Sequence, residues 1–268
     1  MRIVIRGAGG FLGAYLVRAA DPRSSASQTH VLGRGSFDGL ERGDTLFDLA
    51  FERAADEKQI ESDARLLVRG AAAAGARCIV HASSVAVYGR ATGVVSESSP
   101  VAPVTMYGTM KAHAEAALRG EAERSGADVR IARIANAYGP GQKRLLIYDL
   151  IRRALVEPPP LLVASSGDEI RDFVHARDVA EALLAIAGGG ERGGVFNVGS
   201  GRGTPVGEVA RLIAQLGGHG GAIAFDDSRA GDEISFRPST EKISRLGYRA
   251  TVDLEDGVRE TFDWVRTA

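Results

Sequence analysis

Short runs of β-forming residues alternate with alanine-rich segments of helical periodicity through the first half of the chain. Such alternation predicts βαβ units, in which parallel strands form one sheet and the intervening helices cover both of its faces. The predicted strands are residues 3–5, 30–32, 45–49, 78–82 and 129–134, and the predicted helices are residues 11–20, 63–74 and 111–125. We therefore predict a doubly wound α/β fold for this part of the chain.

A glycine-rich turn lies between the first predicted strand and the first predicted helix. It reads Gly7-Ala8-Gly9-Gly10-Phe11-Leu12-Gly13, and because the chain contains 34 glycines it is informative through this position rather than through its composition. Such glycines allow the backbone to approach a pyrophosphate, whose charge is stabilised by the amide groups at the start of the helix. We predict a Rossmann-type domain whose dinucleotide site includes Gly7, Gly10, Phe11, Leu12 and Gly13.

Three polar residues form a candidate catalytic group. Tyr107 and Lys111 are four residues apart, so a helix places them on one face. A nearby cation lowers the pKa of a tyrosine from about 10 toward neutral pH, which makes the phenol an acid–base group. Ser84 follows the predicted strand 78–82, at the carboxyl edge of the sheet where ligands bind. Taken alone, Tyr107 and Lys111 are equally compatible with an exposed helix pair.

Further motifs accompany these residues in the same order along the chain. They read ASSVAVYG at 82–89, RIANAYGPGQ at 133–142, RDFVH at 171–175 and FNVGSG at 196–201. Together with the spaced glycines and the Tyr107/Lys111 pair, they resemble the extended short-chain dehydrogenase/reductases, specifically the NAD-dependent epimerase/dehydratase group that acts on nucleotide sugars. The resemblance covers nearly the whole chain.

The resemblance implies a role for each residue that matches a family motif. Tyr107 would be the acid–base residue, Lys111 would orient the cofactor ribose and lower the pKa of the phenol, and Ser84 would polarise the reacting oxygen. The chain would then act on a nucleotide-sugar substrate with a nicotinamide cofactor.

Three further positions match residues that bind the diphosphate of the substrate in this family. They are Asn136, Arg171 and Arg229, and arginine suits the task because its planar donors match phosphate oxygens. Exposed ion pairs at the two arginines and a loop-capping role for the asparagine are the alternatives.

The residue pattern changes after Gly139, because prolines and glycine clusters separate shorter predicted elements from there on. We predict an NAD(P)-binding domain over residues 1–139 and a smaller α/β substrate lobe over residues 140–268. Within that lobe, we expect about residues 170–187 to pack back on the first domain.

The adenine side of the predicted cofactor site departs from the family pattern. Where an NAD enzyme places an acidic residue on the adenosine ribose, this chain reads LGRG at 32–35. An arginine there can hold a 2′-phosphate, so Arg34 favours NADP(H) over NAD(H), with a solvated loop residue as the alternative. Residues 38–44 are too few for the usual third strand and its helix, and we predict that this unit is missing. Its absence leaves Arg53 as a candidate cofactor contact beside Leu49 and Ala50.

The turn after Ser84 discriminates between reaction types. Dehydratases and decarboxylases of the family carry a carboxylate one or two residues after the Ser or Thr, whereas Val85 and Ala86 cannot move a proton. The cysteine used by epimerase–reductases is also absent there. Hydride transfer with one proton at Tyr107 remains, and we expect a 4-ketoreductase that uses NADPH. The alternative is a 4-epimerase that retains NAD, and a third is a non-catalytic cofactor-binding protein on the same fold.

Composition limits the partners. The net charge of −1 argues against nucleic acid, and the five histidines show no metal-ligand spacing. A single cysteine, Cys78, excludes an intrachain disulfide and is typical of a reducing compartment. The sequence shows neither an export signal nor an apolar span of about 20 residues, so we expect a cytoplasmic protein with no membrane partner and no metal. A homodimer is one assembly that the resemblance allows.

Overall fold

A parallel sheet of six strands forms the centre of the computed structural model, which describes residues 2–20, 29–32, 37, 39–50, 56–226 and 235–268. The strands are β1 (Ile3–Arg6), β2 (Thr29–Leu32), β3 (Thr45–Asp48), β4 (Cys78–Ser84), β6 (Val129–Ile134) and β11 (Val195–Val198). Their order across the sheet is β11-β6-β4-β3-β1-β2, and neighbouring strands run parallel throughout. The predicted doubly wound α/β fold is confirmed.

Helices cover both faces of this sheet. Helices α1 (Phe11–Ala20) and α5 (Ala176–Gly189) pack on one face, and α2 (Glu57–Ala73) and α3 (Met106–Ser125) pack on the other. The strands supply apolar side chains to both sides, since successive residues of a strand point to opposite faces. In β1, for example, Ile3 and Ile5 join the cluster under α1 and α5, whereas Val4 joins the cluster under α2 and α3.

Capping residues fix where two of these helices begin, and both begin earlier than the sequence predicts. The side chain of Asp56 accepts a hydrogen bond from the Gln59 amide at the start of α2, and that of Thr105 accepts one from the Gly108 amide at the start of α3. Such side chains satisfy amide groups that have no partner within the helix. Because α3 begins at Met106, Tyr107 lies in its first turn.

Strand β2 is the last strand of the sheet within the described residues, and β1 lies between β2 and β3. Residues 39–44, which lead into β3, contain no strand. Residues 33–36 and 38 of the connection from β2 lie outside the described residues, so the missing third strand–helix unit stays a prediction.

The chain after Gly139 builds a second apolar cluster and also returns to the central sheet. Helices α4 (Leu145–Val156), α6 (Val206–Leu216) and α8 (Leu254–Thr267) enclose the second cluster. Helix α5 and strand β11 lie in or against the central sheet. The division at Gly139 stays a prediction.

Short two-stranded pairings complete the described structure, together with the helix α7 (Glu241–Ser244). The pairs are β5 (Thr92–Val95) with β14 (Ser235–Pro238), β7 (Asn136–Tyr138) with β10 (Phe173–His175), β8 (Leu161–Val163) with β13 (Ile223–Phe225), and β9 (Ile170–Arg171) with β12 (Thr204–Pro205). Within the described parts of the chain, no helix is long and apolar enough to cross a membrane.

Candidate active site

Tyr107 and Lys111 lie one turn apart at the start of α3, as the sequence predicts. The Tyr107 side chain is accessible, with 42% of the residue exposed, whereas Lys111 is only 4% exposed. The Lys111 Nζ atom lies 6.0 Å from the centre of the Tyr107 ring and donates a hydrogen bond of 2.7 Å to the carbonyl oxygen of Ala82. The Lys111 ammonium is therefore buried near the Tyr107 phenol, which is accessible to a ligand.

Ser84 is brought to the same edge of the sheet. It is the last residue of β4 and precedes a single 3-10 turn, Val85–Tyr88, whose Ala86 amide donates to the Ser84 Oγ atom over 3.2 Å. A Cβ atom at Gly108 would lie 2.5 Å from the carbonyl oxygen of Ala86, so only glycine lets the first turn of α3 approach this closely. That approach packs the first turn of α3 against the turn that follows Ser84.

The glycine turn has the shape of a dinucleotide cradle. The Gly10 amide donates to the Gly7 carbonyl over 3.0 Å, and Gly7 has a φ of +89°, which favours glycine. A Cβ atom at Gly13 would lie 2.2 Å from the Gly7 carbonyl oxygen, whereas one at Gly9 would meet nothing within 4 Å. The turn is thus closely packed on the protein side and open on the outer side at Gly9.

The residues around this turn fit the phosphates of a dinucleotide. Helix α1 begins at Phe11 and carries no acidic residue in its first turn, so the positive end of its dipole is not neutralised by its own side chains. A Cβ atom at Gly7 would meet the backbone of Leu49 and Ala50, which places the end of β3 directly beside the turn. The predicted cofactor residues from Gly7 to Gly13, Leu49 and Ala50 are therefore brought together.

A network of buried polar side chains, which sequence reasoning missed, connects the middle of α3 to the central sheet. Arg133 on β6 donates to both carboxylate oxygens of Glu115, with Nη2–Oε2 at 2.7 Å, and its Nη1 atom donates to the Tyr88 hydroxyl over 3.0 Å. The Ser83 hydroxyl donates to the same carboxylate, and Tyr88 in turn donates to Asn197 on β11. These bonds connect α3 to the strand end that carries Ser84. A charged residue inside an apolar strand, as at Arg133, is the sequence signal that indicates such a network.

A second buried group lies at the ends of β1 and β3 and in the middle of β4. The Asp48 carboxylate is 2.7 Å from the Nδ1 atom of His81 and 3.2 Å from the Nη1 atom of Arg6. Burial raises the pKa of Asp48, but the hydrogen bond from His81 and the nearby positive charges outweigh burial and hold that pKa below its usual value. Asp48 is therefore a buried carboxylate that stays ionised.

The charge of Lys111 depends on its surroundings. Burial lowers the pKa of Lys111 to about 8, although the charges of Asp48 and Glu115 oppose that effect. At neutral pH the ammonium is retained, and it can stabilise a phenolate at Tyr107.

On the substrate side, the structure brings Asn136 and Arg171 to one cavity of about 70 Å³, which Gln142, Tyr148 and Phe173 also line. The Nδ2 atom of Asn136 donates to the carbonyl oxygen of Asp172 over 3.0 Å. The Nε atom of Arg171 is buried and makes no hydrogen bond within the described structure. An orphaned guanidinium donor fits a site for an anionic group.

The Asp172 carboxylate, another residue missed from the sequence, fixes the loop beside this cavity. It accepts hydrogen bonds from the Ser200 amide and hydroxyl and from the Gly201 amide, at 2.7 to 2.8 Å. The FNVGSG motif therefore has a structural role, because its last two residues donate hydrogen bonds to this carboxylate.

Three predicted site residues, Arg34, Arg53 and Arg229, lie outside the described residues, and their roles stay predictions. Across the residues that are described, no group of three or more His, Cys, Asp or Glu side chains is arranged to hold a metal ion.

Comparison with known proteins gives one consistent result. Residues 50–199 match the model of the NAD dependent epimerase/dehydratase family. The chain is 30% identical over 273 residues to a dTDP-glucose 4,6-dehydratase of Actinoplanes sp., covering 97% of this chain and 85% of the relative. It is also 30% identical to a putative UDP-glucose 4-epimerase of Methanocaldococcus jannaschii, covering 70% of this chain and 63% of that protein. Among solved structures, MoeE5 in complex with UDP-glucose and NAD is 29% identical with a TM-score of 0.83, covering 100% of this chain and 99% of MoeE5.

Proposed function

The chain belongs to the NAD-dependent epimerase/dehydratase family, and on that premise we propose that it is a nucleotide-sugar 4-epimerase that uses NAD. The observation that carries this proposal is that the two residues after Ser84 are apolar, which leaves Tyr107 as the proton-transfer group of the predicted set. The Lys111 Nζ atom lies 6.0 Å from the centre of the Tyr107 ring, and the first turn of α3 packs against the turn after Ser84, which begins with Val85 and Ala86. Apolar side chains at these two positions leave elimination without an acid or base there.

The proposed reaction assigns one task to each residue. The Tyr107 phenolate takes the proton of the sugar C4 hydroxyl as that carbon is oxidised, and returns it when the ketone is reduced from the other face. The Ser84 hydroxyl hydrogen-bonds the same oxygen, and Lys111 keeps the phenolate stabilised. Bound NAD supplies a reversible hydride acceptor, so the overall reaction consumes no cofactor.

The remaining residues support binding. The amides at the start of α1 and the close-packed glycines fit the pyrophosphate of NAD. The unpaired Nε atom of Arg171, beside Asn136, fits a phosphate of the substrate. The similarity to MoeE5, which was solved with UDP-glucose and NAD, supports a sugar nucleotide as substrate and NAD as cofactor.

The test is a substrate panel applied to the purified protein. UDP-glucose, UDP-N-acetylglucosamine, UDP-glucuronic acid and dTDP-glucose are incubated with NAD, and the products are separated by chromatography. We expect a C4 epimer of one of them with no net change in NADH, formed about 100-fold or more slowly by the Tyr107→Phe variant. A 4-keto-6-deoxy product would show a dehydratase and would refute the proposal.

A 4-ketoreductase that uses NADP(H) is the second candidate, and it is the function that the sequence alone favours. Arg34 replaces the expected ribose carboxylate, and a shortened adenine side would hold the cofactor loosely enough for exchange. This candidate predicts protein that purifies free of nucleotide and oxidises NADPH in the presence of a nucleotide-linked 4-keto sugar. It also predicts that Arg34→Ala weakens NADPH binding far more than NADH binding, whereas Arg42→Ala, at an exposed position, changes neither.

A further inference from the structure

A row of polar side chains crosses the sheet on the face that α2 and α3 cover. Residue 6 of β1 pairs with residue 48 of β3, and residue 48 pairs with residue 81 of β4. Since side chains alternate along a strand, these positions share the face of Val4, Leu46 and Ile79, which pack against α2 and α3. Arg6, Asp48 and His81 therefore lie side by side beneath the helix that carries Lys111.

The Lys111 side chain contacts β4, the strand that carries His81. Its Nζ atom bonds to the carbonyl oxygen of Ala82, the residue next to His81 in β4. Farther along the strand, Ser83 bonds to Glu115, which is one helical turn beyond Lys111 in α3. Lys111 and Glu115 thus both extend from α3 to the strand that pairs with β3, and Asp48 lies on the sheet face that α3 covers.

The two carboxylates differ in their arginine contacts. Arg133 donates to both oxygens of Glu115 through two of its nitrogens, at 2.7 to 3.2 Å. Asp48 has one contact with Arg6, at 3.2 Å, and one with His81. The contacts of Asp48 with its arginine are therefore fewer than those of Glu115 with Arg133.

We propose that Asp48 is a positioning residue that keeps the buried Lys111 side chain protonated, and that His81 and Arg6 hold the carboxylate in place for this task. The inference rests on the proposed function only where the protonated Lys111 side chain is said to stabilise the Tyr107 phenolate. The effect on Lys111 is a property of the protein alone. The titratable and charged groups that face this site are Arg6, Asp48, His81, Tyr107, Glu115 and Arg133.

The test is an NMR titration that does not depend on any substrate. The chain has four lysines, Lys58, Lys111, Lys143 and Lys242, so selective isotope labelling of lysine yields four side-chain signals. In the wild-type protein we expect one signal, absent from Lys111→Arg, to titrate with a pKa of about 8. In Asp48→Asn the pKa of Lys111 should fall to about 7 or below, since loss of a close opposite charge moves a pKa by about one to three units.

The matched control is Asp178→Asn. Asp178 is another buried carboxylate, which lies in α5 on the opposite face of the sheet and accepts hydrogen bonds from Thr251 and Val252, and its loss should leave the pKa of Lys111 at about 8. Should Asp48→Asn fail to fold, Arg6→Gln provides the opposite sign, because removing a cation that shares Asp48 should raise the pKa of Lys111. An unchanged pKa in Asp48→Asn, or a fall in Arg6→Gln, would overturn the inference.

Activity provides a separate readout. If the proposed function is correct, the alkaline limb of the turnover profile of Asp48→Asn should move to lower pH by the same amount as the pKa of Lys111. A shifted lysine signal without any activity would support the inference and refute the proposed function, so the two failures are distinguishable.

Discussion

Replacing Arg133 with methionine is expected to lower the free energy of unfolding by about 3 to 5 kcal/mol, because it leaves the Glu115 charge buried without its cationic partner. The side chains of Arg133 and Glu115 are 4% and 6% exposed, so water cannot replace the lost contacts. Of the bonds to the carboxylate, only the one from Ser83 would remain, and the Tyr88 hydroxyl would lose the Arg133 donor as well.

The double variant Arg133→Met with Glu115→Leu separates the charge effect from the packing effect. It removes both charges while keeping similar volume, so most of the loss should be recovered, and the remaining cost should be about 1 to 2 kcal/mol for the bonds lost by Ser83 and Tyr88. Urea unfolding followed by circular dichroism measures the free energy of unfolding of each variant. The dependence of that free energy on urea concentration should be the same for all variants. A loss below about 1 kcal/mol in Arg133→Met, or a double variant as unstable as the single one, would refute the reasoning.

Three other outcomes follow from the site. Tyr107→Phe should lower turnover by about 100-fold or more while NAD still binds, and near-normal turnover would remove Tyr107 from the reaction. Gly13→Ala, whose Cβ would lie 2.2 Å from the Gly7 carbonyl, should displace the turn and abolish NAD binding measured by calorimetry, whereas Gly9→Ala, with open space around its Cβ, should bind NAD. Because burial lowers the pKa of Lys111 to about 8, turnover should fall as the pH rises through that value, and a flat profile well beyond it would contradict the role of Lys111.

The sequence alone determines the features that depend on near neighbours. Helical spacing places Tyr107 and Lys111 on one face, and the glycines at 7, 10 and 13 specify a tight turn, in which Gly7 and Gly13 leave no room for a Cβ atom. Alternating strand and helix patterns determine the doubly wound sheet, since each apolar face has to be buried. These inferences hold because they rest on backbone geometry within one or two turns of the chain.

Only the tertiary structure decided which residues that are distant in the sequence pair their charged or polar side chains. Glu115 and Arg133 are 18 positions apart, and Asp48 and His81 are 33 positions apart, so each pair meets only through the register of parallel strands and the seating of α3 on the sheet. No local pattern reveals such partners, because the strands that hold them are joined by helices of variable length. The surroundings that bury Lys111 and set its charge are therefore a property of the folded sheet, whereas the spacing of Lys111 from Tyr107 is a property of the sequence.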